Sequence, residues 1–223
     1  MQKTFKLLLL LCAVACMMSA CKKDDEAPIQ DRDEFFIATI DGAEKNITYA
    51  QNAYNISYVG KHTESRDTLG AIVSYTRGPG SRLLQDVPKE QFLGGLDVES
   101  NEQPTIYFGQ NEFTEREWSL EQLTSFNSIF ETGSYPYLDT DTLTAEVPGI
   151  EIVWQDENEQ EWSTLSGSQS GSSFNVSKVD EFTTSDGDAQ NKVEGTFNCT
   201  LYDGNGNSVN VTNGEFFMTF QLL

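Results

Sequence analysis

Beyond residue 33 the apolar positions recur mostly at a spacing of two, with glycine- and asparagine-rich breaks between the runs, which is the signature of β-strands joined by turns. Residues 34–40 read as a strand, Asp41-Gly42 as a turn, and residues 45–51 as the returning strand of an opening hairpin. Residues 55–59 and 68–75 predict two more strands separated by the polar stretch 60–67, and Arg77-Gly-Pro-Gly-Ser is a breaker after them. Residues 105–109 are another strand. Residues 149–154 and 161–165 flank the polar 155–160 as a hairpin with Trp154 and Trp162 near its sides. After the Gly/Ser loop at 167–173, residues 173–182, 192–202 and 208–220 give the closing strands. In the second of these, Phe197, Cys199 and Leu201 share one face, so Cys199 is expected to be a small buried residue.

The period changes once. Leu120, Leu123, Phe126 and Phe130 recur at three to four residues, Ser119 and Gln122 have capping-box spacing, and Gly133 sits where a helix would stop. The spacing predicts a helix over about 119–131, packed as a lid on a sheet or on a barrel mouth. The fold class expected is all-β: an antiparallel β-sandwich or open β-barrel with this one accessory helix.

The amino terminus follows a different pattern. Lys3 and Lys6 precede an apolar run over 7–20, a basic region followed by a hydrophobic one. At 14 residues the run is shorter than the roughly 20 needed to span a bilayer. It closes with Met18-Ser19-Ala20-Cys21, which resembles the lipobox of bacterial lipoproteins, with Met18 in place of the usual leucine. The resemblance implies cleavage before Cys21 and acylation of that cysteine. A single chain binds a membrane marginally, at about 0.8 kcal/mol per buried methylene, whereas two or more anchor stably. The expected organisation is a leader at 1–20, a lipidated and charged tether at 21–32, and a single β-rich domain at 33–223.

Lys22, Lys23, Asp24, Asp25 and Glu26 follow the cysteine at once. Such a run is a solvated linker on composition alone. Placed directly after Cys21, it also resembles the export signal of Bacteroidota lipoproteins, which implies an outer-membrane lipoprotein facing the cell exterior.

Charge narrows the partners. Losing Lys3 and Lys6 with the leader takes the net charge from −21 to −23, a field that repels phosphate backbones and excludes nucleic acid. Cys12 and Cys16 leave with the leader and Cys21 takes the lipid, so Cys199 is left without a disulfide partner and stability must come from the core.

Few residues announce chemistry. The single histidine, His62, falls in the polar stretch between predicted strands and is expected on an exposed loop. There is no nucleophile elbow, zinc helix, paired Cys-x-x-Cys or phosphate-cradling glycine loop, and no cofactor or metal is expected. Asp203-x-Asn205-x-Asn207 echoes half of a calcium loop, but Ser208 and Gly214 stand where its glycine and bidentate glutamate belong, so a hairpin turn is expected. Asp139, Asp141, Asp186 and Asp188 form similar weak clusters. Trp118, Trp154 and Trp162 are candidates for stacking on sugar rings, although a cross-strand aromatic pair explains Trp154 and Trp162 more simply. Asp67-Thr68-Leu69 and Asp141-Thr142-Leu143 resemble the O-glycosylation sequon of exported Bacteroidota proteins, which implies Thr68 and Thr142 as acceptors.

A second resemblance covers the two ends of the domain. "FFIATIDGAEKNITYAQ" at 35–51 and "VEGTFNCTLYDGNGNSVNVTNGEFFMTF" at 193–220 are similar to a group of uncharacterised Bacteroidota lipoprotein domains, which implies an all-β domain and lends no catalytic residue or ligand. The function expected is a lipid-anchored, non-catalytic binding or accessory lipoprotein, with glycans as the candidate ligand. A structural or assembly component of the envelope or an adhesin is the alternative, and a carboxylate-dependent glycosidase the third reading.

Overall fold

The structure is a computed structural model and describes residues 32–49, 54–66, 68–69, 72–85, 102–109, 111–113, 120–138 and 149–222. The expected signals at Cys21, Lys22, Lys23, Asp24, Asp25 and Glu26, together with Trp118, Thr142, Asp139 and Asp141, lie outside these residues. Asp33–Leu223 gathers into one unit. Among the described residues, no helix is long and apolar enough to cross a membrane.

The strands are β1 (Phe35–Ile40), β2 (Ala43–Thr48), β3 (Tyr54–Arg66), β4 (Ile72–Gln85), β5 (Gln103–Phe108), β6 (Asn111–Phe113), β7 (Gly133–Ser134), β8 (Ile150–Gln155), β9 (Glu161–Ser163), β10 (Ser173–Thr183), β11 (Ala189–Tyr202) and β12 (Ser208–Gln221), with one helix, α1 (Leu120–Ile129). They form a curled antiparallel sheet, a half-barrel, in the order β2-β1-β12-β11-β9-β8-β5-β4-β3. The open barrel expected from the alternation is thus the architecture found, with one short helix. β11 is long enough to serve two neighbours on one edge: it pairs with β10 from Ala189 to Asn198, and Tyr202 then meets Ser163 of β9.

Alternation sets which side chains enter the concave face. Phe36, Ala38 and Ile40 of β1, Val193, Phe197, Cys199 and Leu201 of β11, and Phe216, Met218 and Phe220 of β12 are all buried. Ile106 and Phe108 of β5 and Ile150, Ile152 and Trp154 of β8 complete the same core from the other half of the sheet. The two halves meet where Phe36 stacks on Trp154 with ring centroids 5.9 Å apart. At the margin, Lys45 of β2 pairs with Glu102, just before β5, at 2.5 Å. Helix α1 covers the concave side, where Phe130 packs against Phe108 at 4.9 Å and Phe220 at 5.3 Å. Each buried phenylalanine contributes about 1.5–3 kcal/mol relative to exposure, so the aromatic core is a principal source of the domain's stability.

Two expectations change. The breaker at Arg77-Gly-Pro-Gly-Ser lies inside β4, and β3 continues through the polar stretch, so His62 is a strand residue opposite Arg77 and not a loop residue. Pro79 is tolerated because β4 pairs with β6 over Tyr75–Arg77 and with β5 over Gly80–Arg82, which leaves Gly78 and Pro79 between the two partners. Gly80 is needed because a Cβ there would sit 2.4 Å from the Tyr107 ring. Helix α1 lies where a helix was expected, and Gly133 takes φ 136 where the chain turns into β7.

Candidate functional site

The half-barrel's concave face is largely apolar, and a band of polar and charged side chains crosses its convex face. Two lateral rows cross it. Arg82, Thr105, Val153 and Ser163 stand in register across β4, β5, β8 and β9, and Gly80, Tyr107 and Glu151 form the adjacent row. These positions alternate with the core residues Ile106 and Ile152, which fixes their side.

Arg82 donates through Nε to Thr105 Oγ1 at 2.8 Å and also hydrogen-bonds Tyr107. Burial raises the Tyr107 phenol above its ordinary 10.0, the Arg82 guanidinium opposes that rise, and Glu151 and Glu161 add to it. The phenol therefore stays protonated and available as a donor at neutral pH. Glu151 is 3% exposed, and its Oε1 accepts from Ser163 Oγ at 3.1 Å. Arg82 and Tyr107 are partly exposed above it. The band thus combines a guanidinium and a phenol, both partly exposed, with a buried carboxylate.

The sequence offered many carboxylates with no way to choose among them; register brings Glu151 into this band. Glu161 also acts on Tyr107, yet it stands opposite Gln155, four positions along β8 from Glu151. At about 3.3 Å per residue that is roughly 13 Å of strand, wider than the about 5–9.5 Å between the carboxyl groups of hydrolytic pairs. Neither residue was marked by any sequence motif, because cross-strand neighbours are distant in the chain.

The tryptophans divide. Trp154 is 2% exposed and stacked on Phe36, so it belongs to the core and offers no face to a sugar. Trp162 stands directly opposite it in the ladder, half-buried, with Nε1 donating to Asp156 Oδ2 at 3.2 Å. The cross-strand pair is the arrangement found. Thr68 is exposed in the turn between β3 and β4, next to Leu69.

Asp203 caps its own loop. Its Oδ1 accepts from the amides of Asn205 (2.8 Å) and Asn207 (3.0 Å), and Oδ2 from Asn207 Nδ2 (2.6 Å). Asp156 repeats the motif between β8 and β9, accepting from the amides of Asn158 and Gln160. Thr184 does the same for the amide of Asp188 between β10 and β11. The fourth residue of each loop has positive φ: Glu159 (63°), Gly187 (96°) and Gly206 (98°). The Asp203 stretch is thus a hairpin turn whose carboxylate is engaged by its own backbone. Among the described residues, no group of three His, Cys, Asp or Glu is placed to hold a metal ion.

A second polar group lies where the last strand of the sheet returns to its middle. Gln190 Nε2 donates to the Tyr58 hydroxyl at 3.2 Å and to Gln221 Oε1 at 2.8 Å, and Gln221 Nε2 donates to Asp188 Oδ2 at 3.3 Å. Tyr58 titrates above its ordinary value, through burial first and then the charge of Glu34. These contacts hold β3 to β11.

No family model, curated protein or solved structure matches the chain.

Proposed function

We propose that this chain is a lipid-anchored lipoprotein of the outer membrane, held by acylated Cys21 and directed to the cell exterior by Lys22, Lys23, Asp24, Asp25 and Glu26. Its half-barrel acts there without catalysis, as a recognition module for glycans. The observation that carries the recognition reading is the convex band in which partly exposed Arg82 and Tyr107 lie in register beside the buried carboxylate of Glu151. Acceptors and donors fixed on rigid strands, next to an aromatic ring, suit sugar hydroxyls. The exposure of Thr68 at a hairpin turn supports its reading as an O-glycan acceptor.

Binding of a panel of polysaccharides, followed by isothermal titration calorimetry, tests this. A saturable change in the wild type, lost in Arg82→Ala and Tyr107→Ala variants that keep the native circular dichroism, is expected. Silence across the panel would overturn the recognition reading and favour an assembly role. Release of reducing sugar from the same panel would instead favour hydrolysis.

A further inference from the structure

The three loops that share one frame differ in one bond. In the loops at 156–160 and 184–188 the amide of the fourth residue donates to the carbonyl of the first, Glu159 to Asp156 at 2.9 Å and Gly187 to Thr184 at 3.0 Å. In the loop at 203–207 the Gly206 amide does not make that bond, and the Asp203 carbonyl instead accepts from Asn205 Nδ2 at 3.4 Å. Asn205 and Gly206 are both exposed, and Gly206 carries no Cβ to shield its nitrogen. Of the three fourth-position amides, that of Gly206 is the one left to solvent.

That difference falls on a reactive pair. A backbone nitrogen that follows asparagine can attack the side-chain carbonyl carbon and close a five-membered ring, an intramolecular step favoured by proximity. It needs a following residue without a side chain in the way and an N–H not committed to a hydrogen bond. The sister loops do not meet these conditions. Asn158 is followed by Glu159, which has a side chain and an engaged amide. Asp186 is followed by Gly187, whose amide is also engaged, and a carboxylate offers a poorer leaving group than an amide. The chain holds one other Asn-Gly pair, Asn213-Gly214. There Gly214 is buried in the β11–β12 ladder opposite Phe197. A Cβ on it would lie 2.6 Å from the Phe197 ring and carbonyl oxygen, so the backbone has no room to swing over the Asn213 side chain.

We propose that Asn205 is a self-modifying site, at which the Gly206 nitrogen converts the side-chain amide to a carboxylate without an enzyme. Hydroxide removes the Gly206 amide proton, and the nitrogen bonds to Asn205 Cγ. The Cγ–Nδ2 bond then breaks, Nδ2 takes a proton from water, and ammonia leaves behind a cyclic imide while hydroxide is regenerated. Water adds to one of the two imide carbonyls and breaks its bond to nitrogen. The product is a side-chain carboxylate or, with the main chain rerouted through Cγ, an isoaspartyl link. One water is consumed and one ammonia released, with no oxidant or cofactor.

Either product changes the loop. A new negative charge appears two positions from Asp203, whose Oδ1 accepts from the amides of Asn205 and Asn207 and whose Oδ2 accepts from Asn207 Nδ2. Like charge disfavours the ionised form of Asp203. The isoaspartyl link also inserts a main-chain carbon between the two amides that share Asp203 Oδ1, which opens the cap.

The full chain is incubated at mildly alkaline pH, native and in urea, and the peptide 193–223 released by cleavage after Lys192 is fragmented in the mass spectrometer to place the change. In the native protein the exchange of ammonia for water is expected at Asn205 and not at Asn213, whereas in urea both pairs convert at similar rates. Hydrogen exchange is expected to find the Gly206 amide less protected than those of Glu159 and Gly187, and the Asp203 midpoint to rise as product accumulates. Asn205→Gln, which would have to close a six-membered ring, is expected to stop the conversion with the fold unchanged. Native conversion at Asn213 ahead of Asn205, an intact native Asn205 over a period in which urea converts it, or a Gly206 amide as protected as that of Gly187 would overturn the proposal.

Discussion

The Glu34 carboxylate and the Thr219 hydroxyl, separated by 185 positions in the chain, form a buried 2.6 Å hydrogen bond that ties the residue before the first strand to the last strand. Its donor is neutral and its acceptor charged, a class of bond that contributes about 1.5–3 kcal/mol. Nothing in either local sequence indicates it. It arises because β1 and β12 pair antiparallel, with Phe35 opposite Phe217.

Thr219→Val keeps the shape of the side chain and removes the donor from a buried carboxylate. It is expected to destabilise the domain by about 1.5–3 kcal/mol in urea unfolding, with Thr219→Ser close to wild type. A Thr219→Val variant as stable as wild type would show that Glu34 is satisfied elsewhere.

Gly195 is held by close approach and not by a turn. A Cβ there would lie 2.4 Å from the Asn175 carbonyl oxygen and 2.7 Å from the Phe216 ring. The carbonyl belongs to the β10–β11 ladder and cannot retreat without breaking it. Gly195→Ala is therefore expected to cost about 1–3 kcal/mol by denaturant titration, the opposite of the gain that alanine gives at a tolerant strand position.

Cys199 links the core to alkaline pH. Burial pushes its thiol from 9.0 up to about 12, partly offset by a hydrogen bond with Tyr137. Burial raises the Tyr137 phenol as well, and its hydroxyl lies 3.1 Å from the carbonyl oxygens of both Ser173 and Asn198, which share its single proton. The folded state holds the thiol proton while the unfolded state releases it above pH 9, so this contribution is complete below 9 and is lost as pH rises toward 12. Unfolding followed across pH 9–12 is expected to show the loss, and Cys199→Ala to reduce it. The native thiol is expected to resist alkylation at neutral pH and to react once the protein is denatured.

Asp203 shows the reverse sign. The side-chain hydrogen bond from Asn207, with the backbone bonds of the same loop, lowers its pKa below the ordinary 3.8. Its contribution is present above the ordinary value and is lost as pH falls through the lowered one. Carbon-detected titration is expected to place its midpoint below the ordinary 3.8, and Asn207→Ala to raise it.

What was legible in the chain tracks how local each determinant is. The strand at 208–220 and the hairpin around 155–160 appear as β12 and as β8 with β9, because alternation and turn residues are properties of neighbours in sequence. The shared face of Phe197, Cys199 and Leu201 is likewise found, with all three buried. The reading failed at Arg77-Gly-Pro-Gly-Ser, where the reason for the glycine is the Tyr107 ring on another strand. The band of Arg82, Tyr107 and Glu151 was invisible for the same reason, since only the register of three strands places them side by side. Trp154 looked like a candidate platform because sequence does not say which face of β8 meets Phe36.

The account as a whole depends on Cys21 carrying a lipid, because an exterior-facing recognition domain without an anchor would leave the cell. Mass spectrometry of the native protein's amino-terminal peptide tests this most directly. The account predicts a chain that begins at Cys21 and bears a diacylglyceryl adduct, with Cys21→Ser released from the envelope fraction. An unacylated amino terminus, or a Cys21→Ser protein held as firmly as wild type, would contradict it.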